Sequence, residues 1–73
     1  MNELKEMLKK NFPHVDFENE KYLMTNGILD SLAVIKIITE LEEMFDISIT
    51  MEYIQPKYFE SVESIWNMVE ELR

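Results

Sequence analysis

Asn26-Gly27-Ile28-Leu29-Asp30-Ser31-Leu32 lies between a long loop and the most apolar helical pattern in the chain. Gly27 is the only glycine. The turn it occupies is expected to need positive φ, which glycine adopts without steric cost. Ile28 and Leu29 then pin the loop to a core, and Asp30 or Ser31 can cap the helix that follows. A hydroxyl here stands on the surface at the positive end of a helix, where backbone N–H groups favour an anion such as phosphate.

Beyond this stretch, Val34, Ile37, Ile38, Leu41 and Phe45 recur at helical spacing and predict a second helix over 31–45. Its β-branched residues lower helix propensity, so packing must hold it. Leu32 and Ile35 fall off the centre of the apolar stripe, and Ile35 is expected to be partly exposed. Glu40, Glu42 and Glu43 read as a solvated edge. Upstream, Leu4, Met7, Leu8 and Phe12 define a first helix over 2–12, with Asn2 as cap and Pro13 as its stop. Residues 13–29 form the long loop, tacked down by Val15, Phe17, Tyr22, Leu23 and Ile28. Connections longer than about 12–15 residues are uncommon in compact domains and are often functional.

Downstream, Asp46-Ile47-Ser48-Ile49-Thr50 alternates polar and apolar residues, but a lone strand has no partner to pair with. It reads as an extended connector with Ile47 and Ile49 in the core. Pro56-Lys57-Tyr58-Phe59 fits a short third helix with proline at its first position. Ser61 caps a fourth helix running to about Leu72. Val62, Ile65, Val69 and Leu72 form its stripe, with Trp66 and Met68 at the margins. The expected fold is therefore one all-α domain over 1–73. It is a small four-helix bundle, three main helices plus a short third one, with a long loop between helices one and two.

Composition excludes several functions. Fifteen acidic residues against seven basic ones give a net charge of −8, which argues against nucleic-acid binding and favours basic protein partners. There is no cysteine and one histidine, so neither a disulfide framework nor a thiolate or histidine metal cluster is expected. No apolar run reaches the roughly 18–20 residues that span a membrane. The first residues lack a signal-peptide pattern, so a cytoplasmic monomer is expected. His14, in the loop, has no orienting partner for general-base work. No carboxylate pair in an apolar cleft and no glycine-rich phosphate cradle are evident, so the chain is not expected to be an enzyme.

Gly27-Ile28-Leu29-Asp30-Ser31-Leu32, followed by Val34-Ile35-x-Ile37-Ile38-x-x-Leu41-Glu42-x-x-Phe45, resembles the phosphopantetheine attachment region of acyl carrier proteins and of peptidyl or aminoacyl carrier proteins. The ending Tyr58-Phe59-x-Ser61-Val62-x-Ser64-Ile65 looks like a segment common in the same family, so the resemblance covers nearly the whole chain. It implies that Ser31 carries 4'-phosphopantetheine, placed there from coenzyme A by a phosphopantetheinyl transferase. It implies further partners: a ligase that loads an acyl or aminoacyl group as a thioester, and a downstream transferase or synthase. Asp30, Leu32, Ile35 and Lys36 are the residues around the arm that such partners would read. Ala33 and Lys36 stand where fatty-acid carriers tend to be acidic, and this looks more like aminoacyl, D-alanyl or other specialised carriers. The bulky predicted core, including Met7, Phe12, Phe59 and Trp66, leaves little space for a long chain, so arm and cargo are expected outside it. The alternative is an unmodified helical interaction module using Leu32 and Ile35 as a partner patch.

Overall fold

The computed structural model describes residues 1–73. It contains three α-helices and no strand: α1 spans Asn2–Asn11, α2 Ser31–Phe45 and α3 Val62–Leu72. Where a short third helix is expected, the chain makes 3₁₀ turns. Pro56–Tyr58 makes one 3₁₀ turn rather than a helix, and Met51–Tyr53 makes another. Proline does set the entry into its turn, as at a helix start. Phe59 then leaves helical geometry at φ −121°, and the Tyr58 and Phe59 amides close onto the Gln55 and Pro56 carbonyls at 3.1 and 2.9 Å. Driving the Phe59 ring into the core ends the turn, and the chain restarts as α3 three residues later, at Val62.

The helix boundaries follow local chemistry. Asn2 is not a cap but the first residue of α1, and no side chain caps that helix. The α1 end falls at Asn11, one residue before the sequence reading, with Phe12 as its non-helical terminus. Asp46 closes α2 in the left-handed region at φ 53°, which aspartate tolerates better than most residues. Ser61 and Ser64 cap α3 reciprocally: each side-chain oxygen accepts the other's backbone N–H, at 3.1 and 3.0 Å. Serine here does the work of the more usual acidic or amide partner.

The core takes Leu4, Met7 and Leu8 from α1, Val34, Ile37 and Leu41 from α2, and Val62, Ile65, Met68 and Val69 from α3. The connections complete it with Phe17, Leu23, Leu29, Ile47, Ile49 and Phe59. Every buried residue is apolar. The connector expected at 46–50 is as read, with both isoleucines buried. Glu42 is not simply solvated, since its carboxylate accepts the Ile49 N–H at 2.9 Å and ties that connector to α2.

Four residues that spacing put on an apolar stripe lie at the edge of the core. Phe12, Ile38, Phe45 and Leu72 are half-buried, as is Trp66 at the margin where spacing set it. Phe45 and Trp66 meet edge to face at 5.7 Å, under the Arg73 guanidinium. Met68 is instead fully inside, because it lies one turn beyond Ile65 on the face α3 turns inward. Tyr22 is exposed and does not hold the loop; Leu29 does.

Gly27 has φ +70°, and a Cβ built there meets nothing within 4 Å. Backbone strain is thus the only cost of a side chain. Gly27→Ala should lower stability by about 1–2 kcal/mol, and Gly27→Asn by less, since asparagine visits this region more readily. Urea unfolding of the three chains checks this. Equal midpoints for Gly27→Ala and the parent would contradict it.

Candidate functional site

The site is built by residues 22–31. Leu23 is buried, and its carbonyl accepts from the Ile28 and Leu29 amides at 2.9 and 3.0 Å. Asn26 N–H donates to Tyr22 and Gly27 N–H to Met24, so 22–27 is a tight turn with the glycine near its end. Leu29 drops into the core at 2% exposure. The chain then emerges in extended geometry at Asp30, with ψ −177°. The Asp30 carboxylate accepts the Ala33 N–H at 2.8 Å, and its carbonyl takes the Val34 N–H. Asp30 is therefore the cap, and Ser31 is the first residue of α2, exposed. The cap is supplied by the carboxylate, so the Ser31 hydroxyl is not committed to it.

Around Ser31 the surface is apolar. Leu32 is 77% and Ile35 57% exposed, whereas the α2 residues Val34 and Ile37 beside them are buried. Two surface grooves flank the helix start. One, of about 300 Å³, is lined by Ser31, Ile35, Val34, Met24 and Phe59 together with Ile54, Gln55 and Pro56 from the 3₁₀ segment. The other, of about 340 Å³, lies between the loop and α2. Asp30, Leu32 and Lys36 line it with Phe12, His14, Val15, Ile28 and Ala33. Lys36 leans over the Phe12 ring, with Nζ 5.9 Å from its centroid. The sequence-predicted recognition residues are thus brought together around Ser31 but divided: Ile35 faces one groove, Asp30, Leu32 and Lys36 the other.

Spacing carried no sign of Ile54, Gln55 and Pro56 beside Ser31, because they approach it from more than 20 residues away. It carried no sign of Glu60 either. The Glu60 carboxylate accepts the Met24 and Thr25 N–H groups at 2.8 and 2.9 Å and the Thr25 hydroxyl as well. The Glu60 carbonyl takes the Leu23 N–H at 2.9 Å. The side-chain bond from Thr25, then the backbone bond, hold the Glu60 carboxyl below its ordinary pKa. A folded pKa below the unfolded one means that this stabilisation is fully present above the unfolded value. It is lost as pH falls through the lowered folded value.

The remaining chemistry is sparse. No three histidine, cysteine or acidic side chains converge to hold a metal ion. No helix is long and apolar enough to cross a membrane. Comparisons of this chain with protein-family models, with curated proteins and with solved structures found no match.

Proposed function

We propose that this chain is an acyl or aminoacyl carrier protein, with Ser31 the attachment point of a 4'-phosphopantetheine arm. The observation that carries the reading is an exposed serine at the first position of α2, directly after an aspartate that caps the helix by itself. The residues present suit such a group. The hydroxyl is accessible, the helix start offers N–H groups toward a phosphodiester, and the 300 Å³ groove beside it has room for part of a flexible arm.

In the attachment step the Ser31 oxygen forms a bond to the β-phosphorus of coenzyme A. The bond from that phosphorus to the bridging oxygen breaks, and 3',5'-adenosine bisphosphate leaves. The serine proton passes to a base of the transferase. The arm supplies a terminal thiol that holds cargo as a thioester, chemistry that a chain without cysteine cannot perform alone. The protein's own contribution is placement. Tethering raises the effective concentration of cargo at each partner active site, and Asp30, Leu32, Ile35 and Lys36 form the surface those partners meet. Partners are a phosphopantetheinyl transferase, a loading ligase and a downstream transferase or synthase. The test is the intact mass after incubation with coenzyme A and a broad-specificity transferase. A gain of one phosphopantetheinyl group supports the reading. An unchanged mass would favour an unmodified interaction module acting through the same exposed Leu32 and Ile35.

Ile35 offers apolar area worth about 1–2 kcal/mol if it is covered by a partner. Ile35→Glu should keep the helical circular dichroism of the parent, because the side chain is outside the core. It should slow arm attachment roughly tenfold through the lost contact. Attachment at the parent rate would remove Ile35 from the recognition surface.

A further inference from the structure

Glu60 sits between the buried Phe59 and the α3 cap Ser61, so its backbone is anchored on both sides. From there it reaches across to the loop that ends at Ser31. Its carbonyl holds the Leu23 amide, and its carboxylate holds the Met24 and Thr25 amides and the Thr25 hydroxyl. Carboxylates accepting backbone N–H groups make the stronger class of hydrogen bond. The next links are short. The Leu23 carbonyl holds the amides of Ile28 and Leu29, Leu29 is locked in the core, and Asp30 and Ser31 follow directly. Met24, tied to the carboxylate, is also a wall of the groove that Ser31 opens onto.

We propose that Glu60 is a positioning residue for Ser31. Its carboxylate straps the 23–25 turn to the start of α3 and holds residues 23–30 in the one conformation that presents the serine hydroxyl to the enzyme attaching the arm. This rests on the carrier reading. Without the strap, three donors on Met24 and Thr25 turn to water and the loop samples other shapes. The apparent affinity of the transferase for the chain then falls by the fraction of chains still in the competent shape. The effect belongs to KM, since Glu60 does not take part in the phosphoryl transfer.

The experiment compares the parent with Glu60→Ala, Glu60→Gln and Ile65→Val. Each is assayed with coenzyme A and a broad-specificity transferase, at a temperature where circular dichroism shows it folded. Ile65→Val lowers stability from inside the core and removes none of the hydrogen bonds that hold the loop. For Glu60→Ala the expected result is a KM for the chain raised about tenfold, a nearly unchanged kcat, and faster amide exchange at Ile28 and Leu29. Glu60→Gln, whose amide oxygen still accepts from Met24 and Thr25, should fall between alanine and parent. Ile65→Val should melt lower yet accept the arm as the parent does. Parent kinetics in Glu60→Ala, or equal slowing in Ile65→Val, would overturn the positioning role while leaving the carrier reading standing. A parent chain that takes no arm would overturn both. Should Glu60→Ala fail to fold, Glu60→Leu decides, since it fills similar space and accepts no hydrogen bond: a KM equal to the parent's overturns the proposal, and a raised one supports it.

Discussion

Ser31→Ala should take no arm at all. Incubated with coenzyme A and a broad-specificity transferase, the variant should keep its starting mass while the parent gains one phosphopantetheinyl group. On the carrier reading the serine oxygen forms the new bond, so the expected loss is all-or-none. The fold should survive the change. The N-terminal cap of α2 is made by Asp30, whose carboxylate accepts the Ala33 N–H, so losing the Ser31 hydroxyl removes no cap. An exposed substitution of this kind changes stability by no more than about 0.5 kcal/mol. The other serines are poor substitutes. Ser61 and Ser64 are engaged with each other in the α3 cap, and Ser48 lies in the connector between two buried isoleucines. A full mass gain in Ser31→Ala would place the attachment elsewhere and overturn the assignment. Asp30→Ala makes a useful contrast: it loses the cap, which costs about 1 kcal/mol, while keeping the nucleophile.

Phe59→Ala should come close to unfolding the protein. The ring is 1% exposed, at the junction where the 3₁₀ segment turns into α3. Removing a buried phenylalanine costs about 3–5 kcal/mol, counting both the lost transfer energy and the cavity left behind. A domain of this size has a total stability near the low end of about 5–15 kcal/mol. Each kcal/mol lowers the melting temperature by about 4–8 °C, so the midpoint should fall by roughly 12 °C or more. Trp66→Ala removes a larger side chain but one that is only half-buried at the edge of the bundle, against Phe45 and Arg73. It should cost less. Urea or thermal melts followed by circular dichroism check both. A larger loss for Trp66→Ala than for Phe59→Ala would mean that the core is centred on the Phe45–Trp66 pair instead.

These two residues also show where reading the sequence works and where it stops. Phe59 and Trp66 look alike in a list of large apolar residues, and their bulk alone counted both toward the core, although spacing set Trp66 at the margin of its stripe. Only the packing separates them, because burial depends on which way a helix face is turned by its neighbours. Met68 moved inward and Phe12, Ile38 and Phe45 moved outward for the same reason. An apolar stripe on a helix is broad, and its centre can shift by one residue without any change in pattern. The short helix expected at Pro56 became a single turn for a related reason. Proline favours a helical start, but the local preference was outweighed by burying Phe59.

Features of this protein whose causes are local were legible in the chain alone. Periodic apolar residues set three helices, Pro13 stops the first, Gly27 marks the turn with positive φ, and Ser61 begins α3. The placement of Ser31 behind Asp30 at a helix start is of this kind, since a cap and its helix are neighbours in the chain. What surrounds that serine emerges only with the folded path of the backbone. Ile54, Gln55 and Pro56 arrive beside it from the 3₁₀ segment, and Glu60 reaches the loop at Met24 and Thr25 across 35 or more positions. Such contacts leave no spacing in the sequence. A carboxylate that will clasp two distant amides is written the same way as one that faces water, and only the folded path of the backbone tells them apart.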